Sequence, residues 1–470
     1  MRDRNKGAEF ACIGVLLAMY GGSLAPTLTW AHYGADGGDL VTAVVRGSIP
    51  HPPGFPTYLV LGDLFVRLPW GDPAWRLNLM SAVLAAGAAG LAAATVRFHL
   101  RSRIHDSRFA IDHWPSAICA GLSLGLAPLF WSQALIAEVY ALAAFFTALV
   151  GSIVLRRGPA WALGLAWGVG LGAHPTLLFL APLVAWGAWE SGGKGYLRRL
   201  AEVCALALLG WGIVYGPVLL ARRGVPSPWG SMHTPGAWWT LVSGRLYRPY
   251  IFGLPLVAWP QRLLAWAALL ARQFTPFGAL LAGLGWIHLW RERNGLATVS
   301  LLSFGAFSLY AIGYNTSDSM VYLVPALVLA ALWLGVGLAL MAAWLKERLR
   351  WGAWAILLLP LLQAMLFWGE MDLSGQRTAV EWADRVLDEA PPQAVLLTAQ
   401  DAHTFSLWYV HDALGKRPDV VIVDQDLWAQ RPYREMVAKV LRFEDIESGL
   451  APEDVAHRTG RIVVYVNGLD

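Results

Sequence analysis

Apolar residues dominate the first 370 positions in runs of roughly twenty, the length a helix needs to cross a hydrocarbon core. The runs fall at 9–29, 77–97, 114–132, 138–155, 159–173, 175–189, 200–221, 264–289, 296–314, 321–345 and 352–369. They predict eleven spans, the two flanking "GAHPT" being short and the one at 264–289 interrupted by "RQFTP". Beyond Gly369 the pattern changes. "TAVEWADRVLDEA" is amphipathic, "AVLLT" reads as a short buried strand and "HTFSLWYVHDAL" as a second amphipathic helix. "DVVIVD", a helix around "YREMVAKVL", and "RIVVYV" follow. Strands alternating with helices predict parallel pairing in a small layered domain. The expected fold class is mainly α, a polytopic membrane helical bundle over 1–370, followed by a soluble α/β domain over 371–470. The chain stops just after its last strand, as expected of a truncated domain.

Charge orients the bundle. Arg2, Arg4 and Lys6 precede the first run, and Arg97, Arg101, Arg103 and Arg108 follow the second. Arg156 and Arg157, then Lys194, Arg198 and Arg199, then Arg291 and Arg293, then Lys346, Arg348 and Arg350 fill alternate connections. Positive residues collect on the cytoplasmic side. The expectation is an integral plasma membrane protein with a cytoplasmic amino terminus. The loops 31–76, 132–138, 222–262 and 314–320, and with an odd span count the carboxy-terminal domain, then lie outside the cytoplasm. "TLTWAHYG" offers no convincing cleavage site, so the first run reads as a span and not a signal peptide.

Composition agrees. The 470 residues are 56% apolar and only 14% charged, against about a quarter charged in soluble chains. Twenty-five tryptophans suit rings anchored at membrane interfaces. Cys12, Cys119 and Cys204 all fall inside apolar runs, so neither disulfides nor a Cys/His metal spacing is expected. Basic residues gather on no single soluble face, which argues against a nucleic-acid partner. No period of 20–50 residues indicates a repeat array.

The chemistry concentrates in the first loop, "ADGGDLVTAVVRGSIPHPPGFPTYLVLGDL". Gly37 and Gly38 separate Asp36 from Asp39 and let a ligand approach the backbone closely. "DLVTAVVRG" predicts a short amphipathic helix from Asp39 to Gly47, and "IPHPPGFP" a stiff extended turn. "TYLVLGDLFVRLPWG" predicts a second amphipathic stretch along the membrane surface. A carboxylate in such a partly apolar, interfacial setting suits general-base chemistry.

The combination "ADGGDL", "HPPGFPTYLVLGDLF" and "DPAWRLNLMSAV" resembles the first outer loop of the protein O-mannosyltransferase-like membrane family. "FWSQALIAEVYAL", "GLGAHPTLL", "PWGSMHTPGAWWTLVSGRLYRPY" and "YNTSDSMVYLVP" resemble its later outer corners in the same order. "TAQDAHTFSLWYVHDALGKRPDVVIV" resembles sequences that follow the spans in bacterial members. The family is of the GT-C type, polytopic glycosyltransferases that move a sugar from a polyprenyl-phosphate carrier to an acceptor on the outer face. The resemblance implies a lipid-linked-sugar-dependent, inverting transferase with mannose as the first guess for the sugar and a protein or glycan hydroxyl as acceptor. It implies Asp36 as general base. Asp39 stands where the family commonly has Glu, so which of the two carboxylates contacts the acceptor stays open.

Arg245 is the leading clamp for the departing phosphate, because guanidinium offers paired donors. Arg46 and His51 are weaker candidates for that role, and Glu138 is a candidate to orient a sugar hydroxyl. Tyr140, His174, Trp229, Tyr247, Asp318 and Tyr322 complete the substrate-binding candidates from the matching motifs. Each has a plainer reading. Asp39 and Asp318 are natural helix caps, Glu138 suits the positive end of a helix, and His51 and His174 sit in tight turns. Arg245 and Arg248 are placed to snorkel toward headgroups. Asp36 repeats nothing a cap requires. Acidic and aromatic residues of the terminal domain read as solvated faces and core, so that domain is expected to bind the acceptor or modulate access. The carboxylate pair is a possible holder of a divalent cation, but no full ligand set is evident, and no further cofactor is expected. The rival reading, a transporter or lipid flippase, calls for ionisable or broken-helix sites at the midplane and paired repeats; here the charges sit at one face.

Overall fold

The computed structural model describes residues 7–103, 113–230, 232–348, 352–443 and 450–466. Arg2, Arg4, Lys6, Arg108 and Arg350 therefore lie outside the described residues. The membrane-type part comprises α1 (Gly7–Ser23), α2 (Gly37–Arg46), α3 (Pro56–Phe65), α4 (Pro73–Arg103), α5 (His113–Gly125), α6 (Pro128–Ala134), α7 (Tyr140–Leu155) and α8 (Ala160–Leu171). It continues through α9 (Ala181–Gly192), α10 (Tyr196–Arg222), α11 (Pro235–Val242), α12 (Trp259–Gln273), α13 (Thr275–Gly313), α14 (Val324–Lys346) and α15 (Leu358–Met371). Five helical stretches are long and apolar enough to cross a membrane, six if α5 and α6, bent by 67°, form one broken span. Shorter apolar helices are α1, α7 and α8.

Each expected apolar run is helical over most of its length, although α1 ends at Ser23, short of 29, and the run at 114–132 is bent between α5 and α6; two further differences stand out. The run at 264–289 is not one helix. It breaks at Phe274, and Thr275 (φ 60°) and Pro276 open α13, where the missing proline N–H costs nothing. The helix then runs on to Gly313, so the expected boundary near 293 is only a kink at Arg293 (φ −148°). There the guanidinium lies over Trp186 and reaches Glu190 at 3.2 Å.

α14 occupies the centre, buried along nearly all of its apolar length, with α4, α5, α7 and α13 around it. Lipid supplies no hydrophobic drive between apolar helices, so close backbone approach decides their contacts. A Cβ on Gly285 would fall 1.9 Å from the Trp333 carbonyl oxygen, and one on Gly337 2.0 Å from that of Leu281. α13 and α14 thus cross backbone to backbone. Leu208, Ile213, Leu280, Leu302 and Met365 stay exposed on the outside of the bundle, as lipid-facing side chains do.

The carboxy-terminal elements follow the expected alternation: α16 (Thr378–Glu389), β1 (Val395–Thr398), α17 (Asp401–Trp408), β2 (Val421–Asp424), α18 (Arg431–Leu441), α19 (Pro452–Arg458) and β3 (Val463–Tyr465). The strands are parallel in the order β2–β1–β3, with Val395 level with Val421 and Val463. This layer is docked, not merely tethered. The Trp30 indole N–H donates to the Ala402 carbonyl and the Ser406 hydroxyl at 2.9 and 2.8 Å, and Trp382 stacks on His403. A Cβ on Gly38 would fall 2.3 Å from the Phe405 carbonyl oxygen, so α17 lies directly on α2.

Candidate active site

The first loop sets two carboxylates on either side of one histidine. A 3₁₀ turn, Ala31–Asp36, holds His32 and Tyr33 in left-handed backbone (φ 58° and 66°), a conformation L-residues keep only when their surroundings impose it. Gln133 donates to the His32 carbonyl at 2.9 Å, and Thr29 accepts from the Ala31 N–H. The turn delivers Asp36 to the first residue of α2, which starts at Gly37, two residues before the expected start. Asp39 is consequently not the cap. It lies in the first turn of the helix, buried, and turns to the loop beyond.

That loop returns through Gly47 (φ 66°), and His51 closes on Asp39 twice. The His51 backbone N–H donates to Asp39 Oδ2 at 2.7 Å, and ring Nδ1 meets the same oxygen at 2.8 Å. The Trp229 indole N–H, from the long segment after α10, donates to Asp39 Oδ1 at 3.0 Å. Asp39 thus accepts from three donors. His51 Nε2 points the other way, 3.6 Å from Asp36 Oδ2, and the Asp36 side chain keeps about a third (34%) of its surface accessible. Phe55, Trp229 and Tyr247 stand edge-on around the imidazole, 5.0, 5.9 and 6.3 Å between ring centres.

The loop's own carbonyls are tied from α10 and the segment behind it. Arg222 Nη1 donates to the Ala43 and Ser48 carbonyls at 3.0 and 2.8 Å, while Nη2 grips both Asp63 oxygens of α3 at 2.6 and 2.7 Å. Ser227 holds the Ile49 carbonyl and Tyr215 that of Pro53. Buried carbonyls must find such partners.

Electrostatics follow from this placement. Burial pushes the Asp36 carboxyl above its ordinary range against the pull of His51, with Asp318 and Asp39 adding to the rise. Burial lowers His51, but Asp36 and the Asp39 hydrogen bond and charge outweigh it and carry the imidazole to about 9. His51 is then imidazolium at neutral pH, donating to Asp39 and facing Asp36 with its remaining N–H. Burial drives Glu138 well up, with Asp36 as its strongest charged neighbour. Glu138 Oε1 is buried and has no hydrogen-bond partner among the described residues.

Of the other candidates, Tyr140, His174 and Tyr322 form one ring cluster, with Phe55 stacked between His174 and the His51 side. His174 Nδ1 is engaged by Thr176 at 2.7 Å, a turn-building role. Asp318 is half-buried and within electrostatic reach of Asp36. Tyr247 joins the His51 shell. Arg245 is exposed and opens onto a cavity of about 420 Å³ with Pro52, Trp229, Thr240 and, from the terminal layer, Gln430 and Pro432. Arg46 is exposed at the end of α2 and does not join the cluster. Arg222, Asp63 and Asp401 are neighbours of this loop that the sequence did not single out; hydrogen bonds in the fold identify the first two, and the charges around it the third. Among the described residues no three His, Cys, Asp or Glu side chains gather as a metal ion would require.

Comparison with known proteins points the same way. Residues 36–190 match the family model described as the Protein O-mannosyl-transferase TMEM260 N-terminal domain, which includes Asp36, Asp39, His51, Glu138 and His174. The mouse Protein O-mannosyl-transferase TMEM260 is 25% identical over 478 residues, covering 93% of this chain. The chain spans 65% of that relative's length. Crystal structures of ArnT from Cupriavidus metallidurans share the fold. The form bound to undecaprenyl phosphate has a TM-score of 0.58 at 14% identity over 91% of this chain and 92% of that one. The apo form has a TM-score of 0.53 at 15% identity over the same shares. The helical bundle and terminal layer thus share the fold of ArnT, in keeping with the mainly helical membrane architecture expected from the sequence.

Proposed function

We propose that this chain is an integral-membrane glycosyltransferase that moves a sugar, mannose in the first instance, from a polyprenyl-phosphate carrier to a hydroxyl of a protein or glycan. The observation that carries the reading is Asp36, a recessed carboxylate with accessible surface, facing a histidine that Asp39 fixes from behind. The relative's name as a protein O-mannosyl-transferase and the ArnT complex with undecaprenyl phosphate support the choice of donor and acceptor. The loop side would face away from the cytoplasm, by the distribution of Lys and Arg.

In this reading Asp36 accepts the proton of the acceptor hydroxyl as its oxygen bonds to the anomeric carbon. The bond from that carbon to the carrier's phosphate oxygen breaks, and the phosphate leaves with the electron pair, inverting the sugar. Burial raises the basicity of Asp36, while the His51 imidazolium keeps it ionised until it is needed. Asp39 orients His51 and, buried with three donors on its carboxylate, is the less accessible of the two carboxylates to an acceptor. Arg245, open to the cavity beside Trp229, would meet the charge that develops on the phosphate.

The test is loss of label from polyprenyl-phosphate [³H]mannose with the purified full chain in detergent, wild type against Asp36→Asn. Turnover by wild type and at least a thousandfold less by Asp36→Asn supports the reading. Equal turnover removes Asp36 as base, and no turnover with this or other lipid-linked sugars overturns the transferase.

A further inference from the structure

Asp401 belongs to the carboxy-terminal layer, 365 positions from Asp36, yet the fold sets it at the same cleft. It is the first residue of α17. The next residue, Ala402, gives its carbonyl to Trp30, which directly precedes the 3₁₀ turn that ends in Asp36. One turn further along α17, Phe405 lies against Gly38 in the first turn of α2. α17 is thus clamped at two points to the element that carries both loop carboxylates. Phe405 and Trp408 also stand edge-on to Trp229, the donor to Asp39.

Asp401 is exposed in the first turn of α17, where its charge suits the helix's positive end. Gln400 caps α17, its carbonyl taking the His403 and Thr404 N–H groups, and Asp401 has no hydrogen bond or ion pair among the described residues. The charged groups that face it are Asp36, Asp424, His51 and Asp426. Partial burial and then the Asp36 charge push the Asp401 carboxyl up to about 7.

A second, independent observation points to a ligand. Glu138 is 98% buried and its Oε1 has no partner, and its strongest charged neighbour is Asp36. Glu138 and Asp401 each have Asp36 as their strongest charged neighbour, and among the described residues no three acidic side chains gather closely enough to ligate a single cation. Acceptors spread in this way match the donors of a hydroxyl-bearing substrate. The two substrates also have different approaches. Arg245 and its cavity adjoin α11 and the segment in which Trp239, Leu256 and Val257 are exposed, suited to a lipid carrier, although Gln430 and Pro432 of the terminal layer close its other wall. Asp401 lies on the side of the polar terminal layer, open to an acceptor from water.

We propose that Asp401 touches the acceptor: the terminal domain supplies the third carboxylate of the reaction site and accepts a hydrogen bond from the hydroxyl-bearing acceptor that Asp36 deprotonates. This rests on the transferase reading above. It makes the domain a part of acceptor recognition and not a neutral appendage.

The experiment is steady-state transfer by the full chain from polyprenyl-phosphate [³H]mannose to two acceptor probes, a synthetic Ser/Thr peptide and methyl α-mannoside. Wild type is compared with Asp401→Asn, Asp401→Glu and Asp36→Asn, and protease sensitivity of the terminal domain serves as the docking control. Asp401→Asn is expected to raise the acceptor KM about tenfold, to leave the donor KM within twofold and kcat within threefold, and to keep the domain docked; Asp401→Glu recovers part of the loss. An unchanged acceptor KM overturns the proposal, as does an equal loss for donor and acceptor, which would make Asp401 a general electrostatic influence. Wild type that moves no label to either probe or to water overturns the transferase reading and this proposal with it. Wild-type transfer that Asp36→Asn leaves intact strikes at Asp36 alone.

Discussion

His51 and Asp39 are joined twice through a single carboxylate oxygen, once from the histidine backbone and once from its ring. The double link fixes both the position of the loop and the state of the imidazole. His51 rises from its ordinary 6.5 to about 9 in the folded chain. A folded value above the unfolded one means a contribution to stability that is complete below about pH 6.5 and lost as pH climbs through about 9. That rise corresponds to on the order of 3 kcal/mol. Thermal unfolding in detergent is therefore expected to show a melting temperature that falls by several degrees between pH 6.5 and 9.5. Asp39→Asn should make that slope shallower, with Asp36 keeping part of it, and lower stability throughout. A wild-type slope that survives Asp39→Asn would assign the titration to another group.

Arg222 ties the same loop from outside the helix. It shares its donors between the Ala43 and Ser48 carbonyls and the Asp63 carboxylate, and its side chain is 8% exposed, against 42% for Asp63. Truncating the buried partner leaves two carbonyls and a carboxylate unmet, whereas neutralising the half-exposed one leaves the carbonyl bonds in place. Arg222→Met is expected to cost about 3 kcal/mol and Asp63→Asn about 1 kcal/mol, measured by thermal or denaturant unfolding. Because Ser48 lies three residues before His51, Arg222→Met should also lower kcat by tenfold or more while leaving donor binding close to wild type. Equal destabilisation by the two variants would mean that the ion pair, and not the carbonyl bonds, does the holding.

The bundle was legible because hydrocarbon permits few solutions: runs of the spanning length must be helical, and the change of period after Gly369 marks the α/β layer. The carboxylates of the first loop were legible as polar residues out of place. Their division of labour was not. Asp39 read equally well as a cap, and only the earlier start of α2 at Gly37 turned it inward to three donors. Arg222 ends an apolar run, and nothing near it in sequence suggests Asp63, 159 positions away. Asp401 read as a solvated face, because its neighbours at the cleft come from the opposite end of the chain. Pairings of this kind depend on backbone approach, which periodicity does not encode.

Gly38 is the clearest case of such an approach. An added Cβ would stand 2.3 Å from the Phe405 carbonyl oxygen, 2.5 Å from its carbonyl carbon and 2.9 Å from its Cβ, so two of the three obstacles are backbone. Neither helix can yield by rotating a side chain. Its backbone is ordinary right-handed helix, so alanine there meets no torsional penalty and would, on an isolated helix, be favoured by up to about 1 kcal/mol. The clash sets the sign. Gly38→Ala is expected to push α17 away from α2, to stretch the Trp30 bonds to Ala402 and Ser406, and to open the terminal layer. Limited proteolysis after residue 371 should accelerate at least tenfold, while the bundle's own thermal transition moves little. Transfer should fall with it, chiefly through the acceptor KM, if the layer carries part of the acceptor site. Undiminished protection of the layer in Gly38→Ala would show that α17 and α2 stand further apart in the membrane than the 2.3 Å approach implies.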